Sequence, residues 1–181
     1  MINSSKQDAS STKSDTENPY KKSCFVISRI GSRGSPEYSD SLTVLNYIIK
    51  PVLEPLGYEV TRQDSSPANN ILKDIVKRLI EADIVIADIS GSNLNVFYEL
   101  GIRNSAGKPY ITLLRKGERP PFDVTIFKYT LYDLSDVEVT ESAKEELKER
   151  VQFSESKPGE ASESPVSQLR DISYLRFNGD A

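Results

Sequence analysis

Between residues 23 and 114 the sequence alternates short apolar runs with longer segments whose apolar residues recur at helical spacing. That alternation restricts the possible folds more than any other feature of the chain. Ser23-Cys-Phe-Val-Ile-Ser28 is a continuous apolar run of the kind found in strands buried on both faces. After it, Leu42, Leu45, Ile48, Ile49, Val52 and Leu53 fall on one helical face, with Ser39 or Asp40 as the expected cap and Pro55 and Gly57 as punctuation. Tyr58-Glu-Val-Thr-Arg62 alternates as a second strand, and Ile71, Leu72, Ile75, Val76, Leu79 and Ile80 mark a second helix. Asp83-Ile-Val-Ile-Ala-Asp88 is the strongest strand signal. It leads to a helix over 95–106, which Gly107 closes, and then to Tyr110-Ile-Thr-Leu-Leu114. A fifth strand is expected over 127–131 and a charged last helix over 141–151.

Strands that alternate with helices require right-handed crossovers and a parallel sheet covered on both faces. The expected fold is therefore α/β: a single flavodoxin-like domain with a mostly parallel open sheet of four to five strands, helices on both faces and flexible tails. The folded domain is placed at 21–153. Residues 1–20 are Ser, Thr, Lys, Asp and Asn with few apolar groups and are expected to form a disordered arm, and 154–181 a flexible acidic tail.

Of the 181 residues none is histidine, and the one cysteine, Cys24, reads as a small buried hydrophobe. Chemistry that depends on imidazole is excluded, as are an intramolecular disulfide and a thiolate zinc cluster, so no metal site is expected. Residues 21–133 carry 15 basic and 13 acidic groups, and 134–181 carry 6 and 11. A folded region at +2 suits an anionic small molecule and is too weakly basic for duplex nucleic acid. No run of 18 apolar residues and no apolar leader occurs, so a cytoplasmic protein without a membrane partner is expected.

In an open parallel sheet, ligands bind outside the carboxyl ends of the strands. Four loops reach that edge: 28–38, 62–68, 88–95 and 114–122. The third begins the stretch Asp88-Ile-Ser-Gly-Ser-Asn-Leu-Asn-Val-Phe-Tyr-Glu-Leu-Gly101, in which Asp88 ends a strand and Glu99 lies about one turn into the next helix. Both carboxylates are expected to face one crevice and to be its catalytic groups. Breaking a bond between a sugar and a nitrogen base passes through an oxocarbenium-like state, which a carboxylate can stabilise or attack without any histidine. Spacing alone also fits a plain structural role, because acids favour first helical turns and Asp88 can cap its own turn.

The stretch Ala82 to Pro109, with its Asn95-Val-Phe-Tyr-Glu-Leu-Gly101 and Gly107-Lys-Pro109, resembles bacterial TIR-like proteins related to nucleoside deoxyribosyltransferases. The resemblance covers roughly residues 22–132. It implies that Glu99 is the catalytic carboxylate, and that the activity is N-glycosidic cleavage of a nucleotide, first of all NAD hydrolysis in a defence effector. NAD would then be a substrate, with no cofactor required. Nucleoside deoxyribosyl transfer is the alternative enzyme, and a nucleotide-binding sensor or self-associating module the alternative without catalysis. Phe25-Val-Ile-Ser28 and the loop after it look like the family's first ligand loop. On that glycine-containing loop, backbone donors and the guanidinium groups suit Arg29, Ser32 and Arg33 to phosphate, with Ser28 and Gly31 beside them, Asp64 to a ribose hydroxyl, and Ser90 and Asn95 to the substrate. Turn capping explains Asp64 equally well, and capping its helix is the favoured role for Asn95. Tyr98 is expected in packing, and Arg103 and Asn104, where the family has alanine-rich text, on the surface. A phosphoacceptor domain of the same architecture needs acids after its first strand, where this chain has Ser28 and Arg29.

Overall fold

The computed structural model describes residues 20–63, 71–120 and 128–157. The arm and tail expected at 1–20 and 154–181 lie almost wholly outside these residues. Five strands, β1 (Lys22–Ile27), β2 (Tyr58–Arg62), β3 (Ile84–Asp88), β4 (Tyr110–Arg115) and β5 (Tyr129–Tyr132), form one sheet in the order β2-β1-β3-β4-β5. Every pairing is parallel. This is the flavodoxin-like order, whose switch point lies at β1, between the outward crossover to β2 and the return to β3.

The two-residue period of the strands sorts their side chains between two cores. Cys24, Val26, Ile84, Ile86, Ile111 and Leu113 pack on one face, against the first helical segment and Ala143, Leu147 and Val151 of α5 (Val137–Ser156). Phe25, Ile27, Val85 and Ala87 pack on the other, against Leu79 of α3 (Ile71–Glu81) and Val96 and Leu100 of α4 (Leu94–Ser105). Helices thus cover both faces, as expected.

Several local expectations are corrected. The first helix, α1 (Pro36–Thr43), is capped not by Ser39 or Asp40 but by Ser35, whose Oγ accepts from the Tyr38 N–H at 3.2 Å; Pro36 suits the first position because it has no N–H to satisfy. It widens into a π-helical stretch, Val44–Ile49, and continues through α2 (Lys50–Leu53). Val44 and Leu45, Ile48 and Ile49, and Val52 and Leu53 form apolar pairs every four residues, and a wider turn keeps such pairs on one face. α4 begins at Leu94 and is capped by Asn93, which accepts from the Asn95 N–H at 2.9 Å, so Asn95 is not the cap. α5 is capped by Asp136 and runs through Ser156, beyond both its expected span and the boundary at 153. Tyr98 is 64% exposed instead of packed. No helix among the described residues is long and apolar enough to cross a membrane.

Candidate active site

Asp88 is the last residue of β3 and shares the sheet face of Ile84 and Ile86. Its Oδ1 accepts from the Ser90 N–H at 3.0 Å and the Ser90 hydroxyl at 2.6 Å, and its Oδ2 accepts from the Tyr132 hydroxyl at 2.9 Å. Ser90 Oγ in turn accepts from the Arg115 N–H at 2.9 Å, which ties the turn after β3 to the end of β4. Burial raises the carboxyl pKa of Asp88, and the Ser90 and Tyr132 hydrogen bonds oppose that rise. Both oxygens are bonded, as a buried carboxylate requires.

Beside this cluster lies a cleft of about 190 Å³, whose lining includes Arg29, Glu37, Asp40, Asp88, Arg115 and Tyr132. Its arginines already have partners: Arg29 Nη2 pairs with Glu37 Oε1 at 2.9 Å, and Arg115 Nη2 with Asp40 Oδ2 at 2.7 Å. Gly91 donates its N–H to Glu118 Oε2 at 2.5 Å and has φ +71°. A side chain there would be strained, and its Cβ would come within 3.1 Å of Arg29 Nη1. Ser90 and Arg29 thus reach the cleft, whereas Ser32 and Arg33 are exposed and do not line it. Gly31, at φ +68°, supports the start of α1, because a Cβ there would come within 2.7 Å of Ser35 Oγ. Ser28 is buried at the end of β1, and its Oγ has no hydrogen-bond partner among the described residues. Asp64 lies outside the described residues.

The structure does not bring Glu99 into this cleft. β3 places Asp88 on the face covered by α1 and α5, while α4 packs its Val96 and Leu100 on the opposite face, so the two carboxylates project from opposite sides of the sheet edge. The common crevice expected from spacing ignored this division. Glu99 is 6% exposed; its Oε1 accepts from Gln63 Nε2, and its Oε2 is buried with no partner among the described residues. Burial pushes its pKa up to about 7, against the lowering effect of the Gln63 amide.

Arg103, one helical turn after Glu99, is fully buried, which corrects its expected surface position. Its guanidinium donates to the carbonyls of Leu79 and Ala82 (2.8 Å each), Asp83 (3.2 Å) and Pro109 (2.7 Å). It binds α4 to the end of α3 and to the starts of β3 and β4. Its charge is therefore directed at carbonyl oxygens and away from Glu99.

The isolation of Glu99 has a thermodynamic consequence. The side chain titrates near 4.5 when solvated and near 7 in the fold, so the native state holds the proton more tightly. Stability is then unaffected below about pH 4.5 and falls as pH rises through about 7. Glu99→Gln is expected to raise stability at pH 8 by roughly 1–3 kcal/mol and to change it little at pH 4, as read by urea unfolding at both pH values.

Neither a family model nor a curated protein matches the chain. Among solved structures it is similar to a 2-deoxyribosyltransferase from the psychrotolerant bacterium Bacillus psychrosaccharolyticus, at 17% identity over 61% of this chain and 85% of that one, with a TM-score of 0.49. It is also similar to Clostridium botulinum CMP N-glycosidase, at 20% identity over 67% of this chain and 97% of that one, with a TM-score of 0.47. These likenesses concern chain path alone, and the fold assignment rests on the sheet order itself.

The important residues that sequence reasoning missed are Gln63, Arg103, Arg115 and Tyr132. For two of them a signal was present: Arg115 and Tyr132 end neighbouring strands, and in-register pairing of those strands places them side by side. Gln63 directly follows β2 at the carboxyl edge, but nothing in a polar loop sequence singles it out.

Proposed function

We propose that the protein cleaves the N-glycosidic bond of a nucleotide or nucleoside, with Glu99 as the carboxylate beneath the anomeric carbon. The observation that carries this reading is the isolation of Glu99: a carboxylate buried at the sheet's carboxyl edge, with one oxygen held by an amide and the other without a partner among the described residues. Such a group lowers stability at neutral pH, and a stabilising cation at the site would reverse that loss. The oxocarbenium-like sugar supplies such a charge in the transition state. As the bond to the base breaks, its electron pair leaves with the base, and Glu99 Oε2 either faces the sugar cation or bonds to its anomeric carbon. Water or a second base then attacks that carbon and the carboxylate is regenerated.

NAD hydrolysis fits the chemistry well, because nicotinamide is cationic when attached and neutral when released and so needs no general acid. Deoxyribosyl transfer uses the same carboxylate but differs in both groups: a second base is the acceptor, and the departing base, neutral when attached, must take up a proton as it leaves, which nicotinamide does not. Within this reading Asp88, bonded at both oxygens, shapes the turn into α4 through Ser90 and does not touch the sugar. The test is to incubate the protein, at concentrations high enough for self-association, with NAD and with deoxynucleosides, each with and without a second base. Free nicotinamide from NAD indicates hydrolysis; a new nucleoside formed only with the second base indicates transfer. Nucleotide binding without turnover would replace the enzyme by a sensor, and absence of both would favour an assembly module.

The pH dependence follows from the carboxylate being the active form. kcat/KM is expected to rise with pH through about 7 and to level off above it, the reverse of the stability trend. An acid limb near 4.5 would show that Glu99 is solvated in the working enzyme.

A further inference from the structure

We infer that Gln63 is a positioning residue for Glu99: its side-chain amide holds one carboxylate oxygen and so fixes the direction of the other, buried one. The inference rests on the proposed role of Glu99 and adds a residue to it. Gln63 directly follows β2, where it is half-buried. Its neighbour Arg62 points to the other face of the sheet, where Nη1 donates to Ser41 Oγ at 3.0 Å, while the Gln63 amide reaches Glu99 on α4.

No charged side chain competes for this duty among the described residues. Arg103 is turned to four carbonyls, and Arg78 on α3 pairs with Asp74 at 2.9 Å and lies over the Phe25 ring. Among the described residues, burial raises the proton affinity of Glu99 and the Gln63 amide lowers it. An arginine in place of this amide would form an ion pair and drain the carboxylate of its affinity for a cation. A neutral donor fixes the rotamer and leaves that affinity largely intact. A carboxylate held at one oxygen also keeps the other within a narrow set of directions, which attack on an anomeric carbon requires.

The experiment compares wild type with Gln63→Met, which keeps the length and removes the donor, and with Gln63→Ala. The Glu99 carboxyl titration is followed by carbon NMR, and kcat and KM are measured against pH. Loss of a hydrogen bond to a charged group is expected to move the Glu99 titration, and with it the acid limb of kcat/KM, upward by about one unit. kcat should fall about 10- to 100-fold, with KM much less changed. An unmoved titration overturns the inference. So does a loss confined to KM, which would place Gln63 in contact with the substrate. If Glu99→Gln retains full turnover, the proposed function fails. The NMR titration does not depend on turnover and still decides whether Gln63 holds the carboxylate.

Discussion

Arg103→Ala is expected to destabilise the protein by about 3–5 kcal/mol, lowering the melting temperature by roughly 10 °C or more. The guanidinium is fully buried and answers four backbone carbonyls at the end of α3, the start of β3 and the residue before β4. Removing it leaves those carbonyls without their donor and opens a void beneath α4. Burial pulls the Arg103 pKa down to about 10, with the charge of Asp83 opposing the fall, so the side chain remains charged at neutral pH. Arg103→Lys should recover only part of the loss, because one ammonium cannot span the positions reached by a planar fork of donors. Urea unfolding of the two variants checks both statements. A cost below 1 kcal/mol for the alanine variant would mean that water reaches these carbonyls.

The case of Arg103 also shows why the sequence was legible in some places and not in others. The strands were readable because a continuous apolar run such as Asp83 to Asp88 has no other comfortable environment, and alternation with helical segments leaves little freedom of topology. The position of Glu99 at the carboxyl edge followed from the same argument. Pairwise geometry was a different matter. An arginine in a helix reads as a surface residue unless one knows that exposed carbonyls from three other segments converge upon it. Asp88 and Glu99 are 11 residues apart, and whether they share a crevice depends on which face of the sheet α4 covers, a property of the assembled layers and not of local spacing. The start of α1 was misplaced because Ser35, Ser39 and Asp40 are all capable caps, and the choice is settled by Pro36 and by how far the loop after β1 must reach.

Glu99→Gln is expected to lower base release by at least about 10³-fold with substrate binding largely retained, since the amide can keep the contact with Gln63 but cannot offer a negative charge to the sugar. The same substitution is expected to raise stability at pH 8, and a variant that unfolds at higher urea than wild type would separate lost activity from a damaged fold. This opposition between function and stability is what distinguishes a working carboxylate from a structural one: a glutamate kept only for packing or capping would destabilise the protein, or leave it unchanged, when neutralised. The most direct measurement is therefore base release from NAD and from deoxynucleosides by wild type and Glu99→Gln side by side at pH 8. Release by wild type and at least a thousandfold less by the more stable variant is the expected outcome; equal release by the two proteins would contradict the role assigned to Glu99.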